Sequence, residues 1–283
     1  MPEFLLLNGE IVPASAAQVS VLDRGFLFGD GIYEVVRVRN GRPQFFDRHL
    51  DRLRRGLEAV EIPEPVALRA GCESLLEADA IIDGSLYIQV TRGAGERTHL
   101  PPPDLMPKWL AIPSHQPPMV PGTRPLHAVS MPDPRWQRCD IKTISLMGTV
   151  LGKLSARHAE CDEVVFVGPD GTVREGGSTS VFVRCGERVE THPLDGHVLA
   201  SITRERVLAL CGKLGLSAVE TAPQLAQRGS WDEAFLCGTL TGLQALVALD
   251  GKPIGSGRIG AWTAMLAQAL ERESNEAAEG NLA

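Results

Sequence analysis

Nine prolines (Pro101, Pro102, Pro103, Pro107, Pro113, Pro117, Pro118, Pro121 and Pro125) crowd into twenty-five residues. Each lacks a backbone donor and fixes φ, so no helix or fully paired strand runs easily through such a stretch. A chain of 283 residues also exceeds what one hydrophobic core usually serves. The proline-dense stretch therefore predicts a boundary between two domains, 1–116 and 128–283, with a linker over 117–127.

Strands and helices alternate on both sides of that boundary. FLLLNGEIV reads as strand, Asn8-Gly9 turn, strand, and GIYEVVRV (31–38) as a β-branched strand. Leu50, Leu53, Leu57 and Val60 mark one face of an amphipathic helix over 47–60, and a second helix is predicted over 65–79. Residues 86–92 and 109–112 read as strands. In the second half HAVSM, EVVFV, TVRE, 180–184 and 233–237 read as strands, with Asp170-Gly171 turning a hairpin. Helices are predicted over 146–161, after a Ser201 cap, and along Ile259, Trp262, Leu266 and Leu270; the tail from Glu271 reads as a frayed end. The pattern is that of an α/β (α+β) protein of two domains.

A net charge of −7 argues against a general nucleic-acid binder. Six scattered cysteines without a C-x-x-C pair argue against a disulfide framework and against a zinc or other metal site, and fit a reducing cytoplasm. No apolar run is long enough to span a membrane, and the leucines at 5–7 are too few for a signal-peptide core.

Lysine is scarce: five residues against twenty-three arginines. One of the five, Lys142, stands in RWQRCDIKTISLMG beside Ile144, Leu146 and Met147. By position alone it reads as a surface charge. A lysine amine can, however, lose its proton and attack a carbonyl, which a guanidinium cannot. The commonest protein-bound carbonyl is that of pyridoxal phosphate, which also needs an acid at its ring nitrogen and a cradle for its phosphate. Glu175, before Gly176-Gly177, is the candidate acid. The phosphate candidates are SITRER (201–206), which opens a helix, GTLTG (238–242), which follows a strand, and Arg52, three residues after His49 and off the leucine stripe. Arg52 reads equally well as a solvated charge. Arg97 and His99, in R-x-H spacing, suit a carboxylate or a plain exposed loop.

In this order, DRGFLFGDGIYEVVRV, HLDRL, IQVTRG with RTH, RWQRCDIKTISLMGTVLGK, EGGSTSVF, SITR, and DGKPIG with GRIGAWT resemble the class IV aminotransferases. These are the fold-type IV pyridoxal-phosphate enzymes, and the likeness is strongest to the D-amino acid aminotransferases. It runs from about residue 4 to about residue 272. The resemblance implies a small N-terminal α/β domain and a larger cofactor-binding domain with a β-barrel-like core. It implies that Lys142 forms the internal Schiff base and moves the proton, and that Glu175 is the acid at the pyridine nitrogen. Arg52, Ile202, Thr203 and Thr239, joined by Ser178, match phosphate-binding positions. Tyr33, Arg97 and His99 match a substrate-carboxylate site. The R-x-H loop comes from the partner subunit in that family, so a homodimer with shared active sites is implied. The expected reaction moves an amino group between a D-amino acid and a 2-oxo acid such as 2-oxoglutarate. A branched-chain aminotransferase, an (R)-amine transaminase and an aminodeoxychorismate lyase are the alternatives on the same fold. GTLTGLQAL differs from the T-S-E-I-T-P pattern of D-alanine enzymes, which leaves the substrate range open.

Overall fold

Asn8 and Gly9 take the positive φ values that an Asn-Gly turn requires (52° and 94°). Strands β1 (Phe4–Leu7) and β2 (Glu10–Pro13) close across them, with Leu7 opposite Glu10. The computed structural model describes residues 2–116 and 124–278. Most of the sequence-predicted linker, 117–123, lies outside the described residues, and Leu126 and His127 already belong to a strand. Two compact units are formed. One contains the described residues up to 116 together with Ile141–Ser145 and residues 277–278; the other contains 124–140 and Leu146–Glu276.

The first unit continues with α1 (Arg24–Phe28), β3 (Gly31–Arg39), β4 (Arg42–Pro43), α2 (Phe46–Ala59), α3 (Leu68–Ala78), β5 (Gly84–Thr91) and β6 (Lys108–His115). Its antiparallel sheet has the order β2-β1-β6-β5-β3-β4. β6 runs past Pro113, further than the proline rule allows a fully paired strand. It can do so because β1 pairs only at Leu110 and Ala111, leaving β6 without that neighbour at Pro113. Leu50, Leu53 and Leu57 of α2 are buried as their spacing predicts, against Ile32, Val36 and Val38 of β3 and against α3 in one core. Each such leucine contributes roughly 1.5–3 kcal/mol.

The second unit contains β7 (Leu126–Pro132), α4 (Met147–His158), β8 (Glu163–Val167), β9 (Val173–Gly176), β10 (Ser180–Cys185), β11 (Arg188–Thr191), α5 (Ile202–Lys213), β12 (Ser217–Val219), β13 (Glu233–Gly238), β14 (Gly242–Leu249), β15 (Lys252–Pro253) and all but the last two residues of α6 (Ala261–Ala278). The path β10-β13-β14-β7-β8-β9 returns to β10 through the pair Ser180↔Glu175, so six strands close into a barrel. Period-2 alternation divides the strands between two cores. Val181, Val183, Ala234 and Leu236 join Leu126, Val165, Val173 and Leu246 in one cluster. Phe182 and Phe235 stack at 5.0 Å on the opposite face, with Val207 and Leu210 of α5 and Leu266 and Leu270 of α6. Both faces of β10 and β13 are thus buried, and their middle residues, 181–183 and 234–237, are continuously apolar for that reason.

Of the tail from Glu271, expected as a frayed helix end, residues up to Ala278 are helical, and 279–283 lie outside the described residues. Arg206 of α5 donates to Glu273 Oε2 (3.0 Å), Ser274 Oγ (3.0 Å) and the Leu270 carbonyl (3.3 Å), which ties the last turns down. Among the described residues no helix is long and apolar enough to cross a membrane.

Candidate functional site

Lys142 lies in a short segment laid along the start of β3. The Tyr33 amide donates to the Lys142 carbonyl (3.0 Å), the Ile144 amide donates to the Gly31 carbonyl (3.0 Å), and Ile32 bridges Thr143. Ile141, the preceding residue, is buried in the first unit's core. The backbone at 142 is therefore held from both sides. The half-buried side chain places Nζ 4.2 Å from the centre of the Tyr33 ring. No carboxylate among the described residues pairs with this amine.

Residues 32, 34, 36 and 38 of β3 share one face, and Ile32, Val36 and Val38 are core residues. Glu34 therefore points into the core, fully buried, where α2 meets it. His49 and Arg52, one helical turn apart, both reach it. Arg52 Nε donates to Glu34 Oε1 at 2.6 Å and Nη2 to Oε2 at 2.9 Å, a bidentate pair, while His49 Nδ1 lies 2.8 Å from Oε2. At 8% exposure Arg52 is not the solvated charge that its place off the leucine stripe equally allowed. Burial pushes the Glu34 carboxyl up, but the Arg52 charge and the bonds from His49 and Arg52 outweigh it and hold it down to about 2. Burial pushes the His49 imidazole down, against the pull of Glu34. Glu34 is absent from the sequence-derived candidates. The signal available was an acid in the middle of a β-branched strand, on the face of its apolar neighbours.

That carboxylate makes the first unit sensitive to acid. The folded-state value of Glu34 lies below its ordinary 4.5, so its contribution is complete above pH 4.5 and is lost as pH falls from there through about 2. The loss is on the order of 3 kcal/mol. Glu34→Gln should flatten the decline of the thermal midpoint between about pH 5 and about pH 3. An unchanged slope in the variant would exclude Glu34 as its source.

Glu175 lies at the barrel closure, buried, opposite Ser180. One carboxylate oxygen pairs with Arg135 Nη1, and the other accepts the Leu199 amide at 3.0 Å. Arg135 is fixed in turn by Asp133, whose oxygens accept from its Nε (2.9 Å) and Nη2 (2.8 Å), and its guanidinium lies 4.6 Å from the Phe166 ring. Asp133 also accepts from Arg174 at 3.0 Å. Burial pushes the Arg135 guanidinium down, but the Asp133 bonds and the Glu175 charge push it further up. Arg135 thus supports Glu175, although in sequence it belongs to the stretch around Lys142.

Leu199 stands just ahead of the α5 N-terminus, where Ser201 Oγ accepts the Arg204 amide at 3.2 Å. The amides of Ile202 and Thr203 have no acceptor within the helix. The β9–β10 and β13–β14 turns come together: a Cβ on Gly238 would lie 3.1 Å from the Ser178 carbonyl. This draws together the turns that carry Ser178 and Thr239. Between Ser178 and Ser180, the Thr179 hydroxyl is buried and has no hydrogen-bond partner among the described residues.

Arg97 and His99 are exposed on one loop, and both lie against the Phe28 ring, at 5.4 Å and 5.9 Å. Tyr33 lies beside Lys142 and Tyr87, whose ring centre is 5.6 Å away. Among the described residues no hydrogen bond or ring contact joins Tyr33 to Arg97 or His99.

Comparison with known proteins gives this arrangement a family. The model of the family "Amino-transferase class IV" matches residues 31–249. The chain is 34% identical to a D-alanine aminotransferase of Bacillus licheniformis, over 94% of this chain and 95% of that one. It is 32% identical to a D-alanine aminotransferase of Staphylococcus aureus, over 95% and 97%. In fold it is similar to the Escherichia coli branched-chain amino acid aminotransferase (TM-score 0.90, 19% identity, 100% and 97% covered). It is also similar to the 4-amino-4-deoxychorismate lyase of Pseudomonas aeruginosa (TM-score 0.82, 25% identity, 95% and 98% covered). A match over most of the chain, joined to these identities, means that the protein belongs to the class IV aminotransferases, enzymes whose cofactor is pyridoxal phosphate.

Proposed function

We propose that the chain transfers an amino group between a D-amino acid, of the D-alanine or D-glutamate type, and a 2-oxo acid such as 2-oxoglutarate. The observation that carries this reading is the pairing of Arg97 and His99 on one exposed loop, with no carboxylate among the described residues bonded to either. Two neighbouring donors of this kind suit an α-carboxylate. The D-alanine aminotransferases at 34% and 32% identity favour the same substrate class.

The donor chemistry fits the family's cofactor. A phosphate needs N–H and O–H donors, and the first turn of α5 with Thr203, Thr239, Ser178 and the unpartnered Thr179 hydroxyl supplies them. Arg52 adds a cation whose direction Glu34 sets. When bound, pyridoxal phosphate supplies an aldehyde that captures amines and a ring that withdraws electrons from the substrate's α-carbon. Lys142 is the residue that bonds to the cofactor and moves the proton at the substrate Cα. Glu175, held between Arg135 and the Leu199 amide, keeps a proton on the ring nitrogen. Tyr33, Arg97 and His99 bind the α-carboxylate. With that group fixed and Lys142 acting from one face, only one enantiomer presents its α-proton to the lysine. A homodimer in which each R-x-H loop serves the other subunit's site is part of this reading.

Half-reactions with single D- and L-amino acids, followed by the cofactor's absorbance, test the assignment. D-alanine or D-glutamate should discharge the absorbance, and borohydride reduction should leave the cofactor's mass on the Lys142 peptide. Preference for L-leucine or L-valine would overturn the D-amino acid reading in favour of a branched-chain activity. Arg97→Ala should lower catalytic efficiency on D-alanine about ten- to a hundredfold, the worth of a charge-assisted bidentate bond. Efficiency on an (R)-amine without a carboxylate should fall far less.

A further inference from the structure

The loop that carries Arg97 and His99 has little structure of its own. Residues 96–100 are exposed, and the local bonds are Thr98 amide to Glu96 carbonyl (2.8 Å) and Thr98 hydroxyl to Leu100 carbonyl (2.7 Å). An exposed loop of this kind does not by itself aim two side chains with the accuracy that recognition needs.

α1 supplies what the loop lacks. Its root is fastened first: Asp23 caps the helix by accepting the Gly25 amide (2.8 Å) and also accepts the Thr91 hydroxyl (2.9 Å). The Arg24 amide donates to the Gly93 carbonyl (2.9 Å), and the Gly95 amide to the Leu22 carbonyl (3.2 Å). The Arg24 side chain then reaches past this root to the loop's tip. It is 3% exposed, and it donates from Nη1 to the Thr98 carbonyl (2.6 Å) and from Nη2 to the His99 carbonyl (3.1 Å). Its Nε is held by Asp30 at 2.7 Å. Asp30 is itself gripped by Arg92 (2.8 Å and 3.1 Å), which also donates to the Val60 and Glu61 carbonyls. Burial pushes the Asp30 carboxyl up, but the bonds from Arg92 and Arg24 hold it below its ordinary value. Phe28, at the other end of α1, has three groups around its ring: Arg24 at 4.8 Å, Arg97 at 5.4 Å and the His99 ring at 5.9 Å.

We propose that Arg24 and Phe28 are positioning residues for substrate-carboxylate recognition, Arg24 fixing the backbone of the Arg97–His99 loop and Phe28 setting the direction of the two side chains. The inference rests on the reading that Arg97 and His99 bind the carboxylate. A lysine at 24 keeps the charge and can reach Asp30, but it has no planar fork to span two carbonyls. A leucine at the half-buried position 28 keeps apolar bulk and removes the ring face.

The test uses cofactor-loaded enzyme and two readouts. One is KM and kcat on D-alanine. The other is binding of propionate, an unreactive carboxylate, followed by the cofactor's absorbance. Arg24→Lys and Phe28→Leu should each raise KM and weaken propionate binding by about tenfold while kcat changes little, the pattern of lost ground-state binding. Efficiency on an (R)-amine without a carboxylate should fall several-fold less. Arg97→Ala runs alongside. If it weakens propionate binding and neither of the other variants does, the positioning role is wrong while the carboxylate reading stands. If Arg97→Ala itself leaves propionate binding intact, the carboxylate reading fails and takes this inference with it. Equal losses on D-alanine and the amine would make α1 a general structural support and overturn the proposal. Should Arg24→Lys not fold, Phe28→Leu decides alone.

Discussion

Lys142→Arg should lower turnover by several orders of magnitude, the scale of losing a covalent and proton-moving group together. The fold should survive, because the segment is held by the Lys142 carbonyl, the Ile144 amide and the Ile141 side chain, none of which the substitution removes. A guanidinium over the Tyr33 ring also keeps the cation–π contact that the amine makes at 4.2 Å. What it cannot do is lose its proton near neutral pH. Turnover on D-alanine and 2-oxoglutarate, measured with the thermal midpoint of the same preparation, separates chemistry from folding. A variant that keeps both its midpoint and near-normal turnover would remove Lys142 from the reaction.

Glu175→Gln should slow the reaction on the order of a hundredfold with cofactor saturating, comparable to removing one preorganised electrostatic group from an active site. A neutral amide cannot hold a proton on the ring nitrogen by charge. The structure adds a second consequence. Both carboxylate oxygens accept bonds, one from Arg135 and one from the Leu199 amide, and glutamine has a single acceptor oxygen. One of the two donors must then face an NH2 group, at a cost of about 1–3 kcal/mol. The thermal midpoint should therefore drop modestly while the rate drops far more. A glutamine variant with wild-type rate at saturating cofactor would refute the acid role.

Much of the architecture was legible because periodicity reports burial directly. The leucine stripe of α2, the Asn8-Gly9 hairpin and the apolar strands β10 and β13 all follow from patterns of a few residues. β14 was not legible: GLQALVAL holds a single β-branched residue, Val247, and only its place in the barrel makes it a strand. Candidate site residues could be read as types, but their partners could not. Arg52 and Glu34 are eighteen positions apart, and Arg135 and Glu175 forty, so nothing local joins either pair. α1 escaped for a different reason: five residues are too few to show a helical period, although Arg24 and Phe28 both lie in a stretch that carried the family likeness.

The path of the chain bears on any attempt to dissect the protein. Residues 141–145 belong to the first unit yet are encoded inside the second, so the polypeptide leaves the first unit, returns to it at Ile141 and departs again after Ser145. A fragment ending at residue 116 would lack Ile141, a member of the first unit's core, and would leave the Tyr33 amide without the Lys142 carbonyl. A fragment starting at residue 124 would carry those five residues with no β3 to receive them. Cutting the gene at the proline-rich stretch therefore damages both halves. No single cut in the chain separates the two units.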